Sequence, residues 1–272
     1  MSQVFFGLWG FFFLFFSSNL LAQELLLATT TSTDNTGLLD YLASDLKKDT
    51  GIELKWIATG TGKALKLGES CDVDVLLVHA KEAELEFIQK GYGVKRIPVM
   101  YNDFVLVGPK NDPARVKGSS IEQALASIEK QRALFFSRGD NSGTHKKELF
   151  LWKKISFFKP ESSWYRETGQ GMLATLRIAG ELGGYTLTDR GTYIKYSDNY
   201  KNHPPLEILV EGDKELFNQY SVIAVNPQVC PQARFKLAQK FIAWLTSKPV
   251  QKKIASFRLL GKQLFIPNAR VN

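Results

Sequence analysis

Three short segments of this 272-residue chain gather groups suited to holding an anion. The first, Thr29-Thr30-Thr31-Ser32-Thr33, is a run of consecutive hydroxyls. Helix capping uses one or two of them, and the others can donate to an oxyanion without supplying a full counter-charge. The second, Thr59-Gly60-Thr61-Gly62-Lys63, has glycines that let backbone N–H groups come close to a ligand. It is not a nucleotide P-loop, which needs Gly five positions before its Gly-Lys and Ser or Thr after it; Ile57 and Ala64 stand there. A tight strand-to-helix turn explains this segment equally well. The third, Ser137-Arg138-Gly139-Asp140-Asn141-Ser142-Gly143-Thr144-His145, places one Arg before a Gly- and hydroxyl-rich helix start. The planar fork of Arg138 can donate two hydrogen bonds to one oxyanion. Asp140 has three readings: partner of Arg138, helix cap, or acceptor for the proton of a monoprotonated phosphate.

Catalytic patterns are missing at the same level. The chain has no Gly-x-Ser-x-Gly elbow and no His-Glu-x-x-His, and His79 and His203 have no metal-ligand partners at short spacing. His145, three residues after Ser142, reads as a solvated helical side chain. Trp56, Trp152 and Trp164 read as packing residues. The Arg138-Gly139-Asp140 triplet matches an adhesion motif, but three residues recur too often by chance to decide anything. An enzyme (a hydrolase) or an adhesion protein is therefore the weaker alternative.

The elements that must position the three segments alternate between strand and helix. Leu25 to Ala28 is an apolar run of buried-strand type, and Leu38, Leu39, Leu42 and Leu46 mark a helix that Gly51 stops. Strands follow at Ile52–Ile57 and Val73–Val78, a Glu-rich helix over 82–90, and a strand at Asp103–Val107. Helices are predicted over 121–134 and 143–154, the latter packing Leu149, Trp152 and Ile155, with a short strand at Phe135-Phe136 between them. A helix from Met172 to Leu182, strands at Tyr185–Thr188, Leu206–Val210 and Tyr220–Val225, and an amphipathic helix from Phe235 ending near Pro249 complete the order. This rhythm predicts an open α/β sheet. In such sheets ligands sit beyond the carboxyl ends of strands, where the three segments fall.

Bulk properties agree with a binding protein of ordinary globular composition. The chain is 44% hydrophobic and 23% charged, enough for two lobes. Residues 1–22 carry no charged side chain and include Phe11-Phe12-Phe13-Leu14-Phe15-Phe16, the apolar core of a secretory signal with Ala22 the last residue removed; an uncleaved anchor is the alternative. No later segment approaches the ~18 apolar residues of a spanning helix. The net charge of +8 fits nucleic acid, an anionic surface or steering of small anions. No basic block interleaved with aromatics supports nucleic acid. Cys71 and Cys230 could pair in an oxidising compartment or remain thiols, and the sequence leaves both open.

The resemblance is then specific. The hydroxyl run, Val78-His79-Ala80, Val99-Met100-Tyr101-Asn102-Asp103-Phe104, the Arg138 segment, Gly169-Gln170-Gly171-Met172 and Tyr185-Thr186-Leu187-Thr188-Asp189-Arg190-Gly191-Thr192-Tyr193 resemble the tungstate-binding proteins of bacterial ABC importers. The resemblance runs from about Leu25 to about Pro267. It implies a type II periplasmic binding protein fold: two α/β lobes joined by a two-crossing hinge, with the ligand cleft between them. Lobe 1 would comprise 23–104 and 220–272, and lobe 2 would comprise 105–219. It implies ligand contacts from Thr30, Thr31, Ser32, Arg138, Ser142, Gly143 and Thr144, with Thr61 added by analogy with related molybdate binders. The implied function is periplasmic capture of tungstate, with molybdate a close competitor, and delivery to the permease of an ABC importer by a monomer that needs no cofactor. Phosphate, using Asp140 as acceptor, is the runner-up.

Overall fold

The computed structural model of the chain describes residues 23–140, 142–156 and 163–269. The expected leader and its cleavage point lie outside them. In chain order the elements are β1 (Gln23–Thr30), α1 (Thr31–Asp34), α2 (Leu38–Thr50), β2 (Ile52–Thr59), α3 (Thr61–Glu69), β3 (Val75–Val78), α4 (Lys81–Gln89) and β4 (Ile97–Pro109). They continue with α5 (Ile121–Gln131), β5 (Phe135–Ser137), α6 (Gly143–Lys154), β6 (Tyr165–Glu167), α7 (Met172–Leu182), β7 (Thr186–Asp189) and α8 (Arg190–Asn199). The last are β8 (Leu206–Val210), β9 (Phe217–Ala224), α9 (Phe235–Leu245), α10 (Lys248–Ser256), β10 (Arg258–Leu259), β11 (Lys262–Gln263) and β12 (Ile266–Pro267).

One long strand organises the molecule. β4 pairs antiparallel with β9 from Ile97 to Asp103 and then, from Phe104 onward, with β7 and β8. On the first side the order runs β12-β4-β9-β3-β1-β2, with β1 parallel to both β2 and β3. Successive side chains of a strand face opposite ways, so each half acquires two cores. Leu25 and Leu27 of β1 point to a core under α2, α9 and α10, while Ala28 points to one formed with Ala64, Leu65 and Phe87 of α3 and α4. In the same way Phe104 and Leu106 of β4 face α5 and α6, and Val105 and Val107 face Leu176 and Tyr196 of α7 and α8. Each half is thus a sheet between helical layers, as the alternating pattern requires.

At the crossing, Arg190 donates to both oxygens of Asp103, Nε to Oδ1 at 2.5 Å and Nη2 to Oδ2 at 2.6 Å, and Nη2 also reaches Glu211 at 2.7 Å. The hydrogen bonds to Asp103 come first among the causes that raise the Arg190 pKa above its usual value. Cys71, at the end of α3, is disulfide-bonded to Cys230 in the loop before α9, which closes the question the sequence left open.

Beyond shifts of a few residues at element ends, some details differ from the expectations. The helix at Phe235 stops at Leu245, and Pro249 lies in the first turn of α10, where its missing N–H costs no intrahelical bond. The strand read over Asp103–Val107 extends to Ile97–Pro109, because the segment before it pairs with β9 and not with solvent. On α6, Leu149 faces outward at 40% exposure, and Leu151 and Trp152 supply the packing face.

Candidate functional site

The three anion-suited segments and further groups line one open cleft of about 510 Å³. Thr30, Thr31, Ser32, Thr61, Arg138, Ser142, Gly143 and Thr144 all stand on its wall. Each is placed by a strand that ends and a helix that begins. β1 ends at Thr30, whose hydroxyl caps the short α1 by accepting from the Thr33 N–H at 3.2 Å. β2 ends at Thr59, and α3 starts at Thr61 behind Gly60, which supplies no side-chain cap. β5 ends at Ser137, and α6 starts at Gly143 with Ser142 accepting from the His145 N–H at 3.3 Å. The strand registry fixes where the loops emerge, and unspent N–H groups at the starts of α3 and α6 make those positions favourable for an anion.

The hydroxyl run is divided in its duties. Thr29 is fully buried and donates to the Leu77 carbonyl at 2.8 Å, so it belongs to the sheet. Thr33 is buried too, 2.7 Å from Thr30 Oγ1. Thr31 and Ser32 are exposed to the cleft, and Thr30 stands on its wall while its hydroxyl caps α1.

Arg138 supplies a charge. Its Nη2 donates to Asp140 Oδ2 at 2.5 Å, while its Nε is buried with no partner among the described residues. A buried guanidinium N–H in that state is unusual. The loop turns at Gly139, whose φ of +63° suits glycine and whose added Cβ would lie 2.7 Å from Glu167 Cβ. Burial would raise the Asp140 pKa, but hydrogen bonds from Ser142 and the Arg138 charge outweigh it and hold the carboxyl below its usual range. Asp140 is therefore ionised, engaged by Arg138 and the Ser142 N–H, and absent from the cleft wall.

Behind the Arg138 loop lies a buried acid. Glu148 of α6 accepts from Ser137 Oγ at 2.5 Å and from Tyr165 OH at 2.7 Å, and the Gly139 N–H is 3.3 Å from the same Ser137 Oγ. Burial pushes the Glu148 pKa up to about 7. His145, expected in solvent, is buried, with Nε2 3.9 Å from Glu167 Oε1; α6 turns that face toward β6.

Sequence reasoning missed several groups on the wall: His79, Asp189, Thr192, Lys195, Asn218, Tyr220, and the start of α7 at Gly171 to Ala174. The signal for α7 was present, since Gly171 before an apolar helix leaves the first N–H groups without a side-chain cap. His79 fell inside the Val78-His79-Ala80 string, but nothing there showed its partners, which lie 49 and 139 residues away in sequence. Its Nε2 lies 3.1 Å from Thr30 Oγ1 and 3.2 Å from Ser32 Oγ, and its Nδ1 2.9 Å from Asn218 Oδ1. The ring stacks on Tyr220 at 4.7 Å between centroids. Desolvation lowers the His79 pKa below its usual value.

A two-halved α/β fold with a cleft walled by helix starts, hydroxyls and one partly engaged guanidinium defines a solute-binding protein of the anion-directed kind. The chain belongs to the PBP superfamily, whose domain model matches residues 18–249. It is 51% identical over 239 residues to the tungstate-binding protein TupA of Campylobacter jejuni, an alignment covering 88% of this chain and 89% of that protein. Among solved structures, the tungstate-binding protein TupA from Desulfovibrio alaskensis G20 superposes with a TM-score of 0.90 at 60% identity, covering 92% of this chain and all of that one. The structure described as the tungstate ABC transporter from Geobacter sulfurreducens gives 0.73 at 46% identity, over 86% and 98% of the two chains. Among the described residues no helix is long and apolar enough to cross a membrane.

Proposed function

We propose that this protein is the extracytoplasmic, periplasmic component of an ABC importer, that it captures tungstate, with molybdate a second ligand, and that it presents the anion to the permease as a monomer. The observation that carries the reading is the convergence of three strand-to-helix loops on one cleft whose cationic contribution, from the Arg138 loop, has a buried N–H still unspent. The names of the relatives agree with it. Binding needs no covalent chemistry. Hydroxyls of Thr30, Thr31, Ser32, Thr61, Ser142 and Thr144, the amides at the starts of α3 and α6 including that of Gly143, and Arg138 replace the hydration of a dianion. Lobes comprising 23–104 with 220–272, and 105–219, close about the two crossings as contacts from both are made to one ligand.

The measurement is calorimetric titration of the chain from Gln23 with tungstate, molybdate, sulfate and phosphate in one buffer. Tight tungstate binding with weak sulfate and phosphate is expected. Tight binding of phosphate alone would overturn the assignment.

A further inference from the structure

We infer that His79 is a positioning residue that sets which atoms of Thr30 and Ser32 face the anion, and that a bound dianion makes it take up a proton. The inference deepens the oxyanion reading of the same cleft and rests on it. The hydrogen-bond chain gives the direction. Asn218 Nδ2 donates to Asn102 Oδ1 at 2.9 Å, which turns Asn218 Oδ1 toward His79 Nδ1 and makes that nitrogen the donor. In the neutral ring Nε2 is then a lone pair, 3.1 and 3.2 Å from the two hydroxyl oxygens. It accepts a hydroxyl proton that the anion would otherwise receive, so the empty site is short of one donor.

A proton from solvent on Nε2 reverses this. Nε2 donates to a hydroxyl oxygen, Nδ1 continues to donate to Asn218, and the one hydroxyl hydrogen that Nε2 had been accepting becomes available to the anion. The surroundings favour that change only when a dianion is present. The charged side chains on the cleft wall among the described residues are Arg138, Lys195 and Asp189. Asp189, whose Oδ1 and Oδ2 are held by the Thr192 N–H at 2.8 Å and hydroxyl at 2.6 Å, attracts a charge on His79, while the two cations on the wall oppose it. Tyr220, stacked on the ring, is buried and its raised pKa keeps it neutral. Burial keeps the unliganded imidazole neutral, and two added negative charges in the cleft offset that desolvation.

The test is titration of the wild-type protein with molybdate in two buffers of different ionisation enthalpy near neutral pH, where molybdate is a monomeric dianion, followed by the same titration across about two pH units. Net uptake of a fraction of a proton per anion is expected, with affinity falling as pH rises, by at most about tenfold per pH unit, the limit for one linked proton. His79→Gln should bind with no proton uptake and a flat profile, and an unchanged circular-dichroism melt would show that it folds. Molybdate binding by the wild type without proton uptake overturns the inference and leaves the oxyanion reading intact. Failure to bind either molybdate or tungstate at all overturns both.

Discussion

The two halves of the molecule present different chemistry to the cleft. The hydroxyl loop after β1 is neutral: Thr30 touches Ser32, Thr33 and His79, and His79 is held by Asn218. The Arg138 loop after β5 carries a positive charge, and its supports are ionisable: Asp140 at its side and Glu148 behind it. The contrast suggests a division of labour, in which neutral donors measure shape and count while the charged loop supplies most of the attraction.

The strongest way to break this comparison is Arg138→Ala. It should cost ~2–5 kcal/mol of dianion affinity, because a charge-assisted contact is lost from a partly desolvated cleft. Near-normal titration curves would show that the charge is not where the attraction comes from. The second prediction concerns Glu148 and stability. Its folded pKa of about 7 lies above the ordinary 4.5, so the folded protein keeps a proton that the unfolded chain has lost. Stability is complete below the unfolded value and falls as pH rises through 7, by ~3 kcal/mol. Denaturant melts between pH 5 and pH 8 should show this slope, and Glu148→Gln should flatten it; identical slopes would remove Glu148 from the account.

Ser32→Ala is expected to weaken binding by ~1–3 kcal/mol if its hydroxyl donates to the anion. A loss of only a few tenths would return that hydroxyl to local structure. The smallest effect is Asp140→Asn, which keeps an acceptor for the Ser142 N–H while removing the negative charge beside Arg138. Dianion affinity should rise, by ~1 kcal/mol. A fall would mean that Asp140 positions Arg138 more than it competes for it.

Much of the fold was legible because its determinants are local and periodic. The leucines of α2, the glycine after it and the apolar run of β1 announce themselves. The three anion-suited loops were legible too, since hydroxyls and glycines cluster where strand gives way to helix. What stayed hidden depends on distant partners. Asn218 approaches His79 only because β9 inserts antiparallel between β3 and β4, a pairing that no window of sequence displays. His145 looked solvated because its helix has a weak apolar face, and β6 covers it only after the chain returns. Pro249 looked like an ending because a proline stops a helix as readily as it starts one, and two residues of spacing decide between them.

The bond between Cys71 and Cys230 spans 159 positions of sequence, including the whole of β4 through β9. A protease that cuts once anywhere in that stretch severs the backbone but releases nothing, since both fragments stay covalently tied beside α3. On a gel the nicked molecule would run at its full mass until a reductant is added, and then as two pieces.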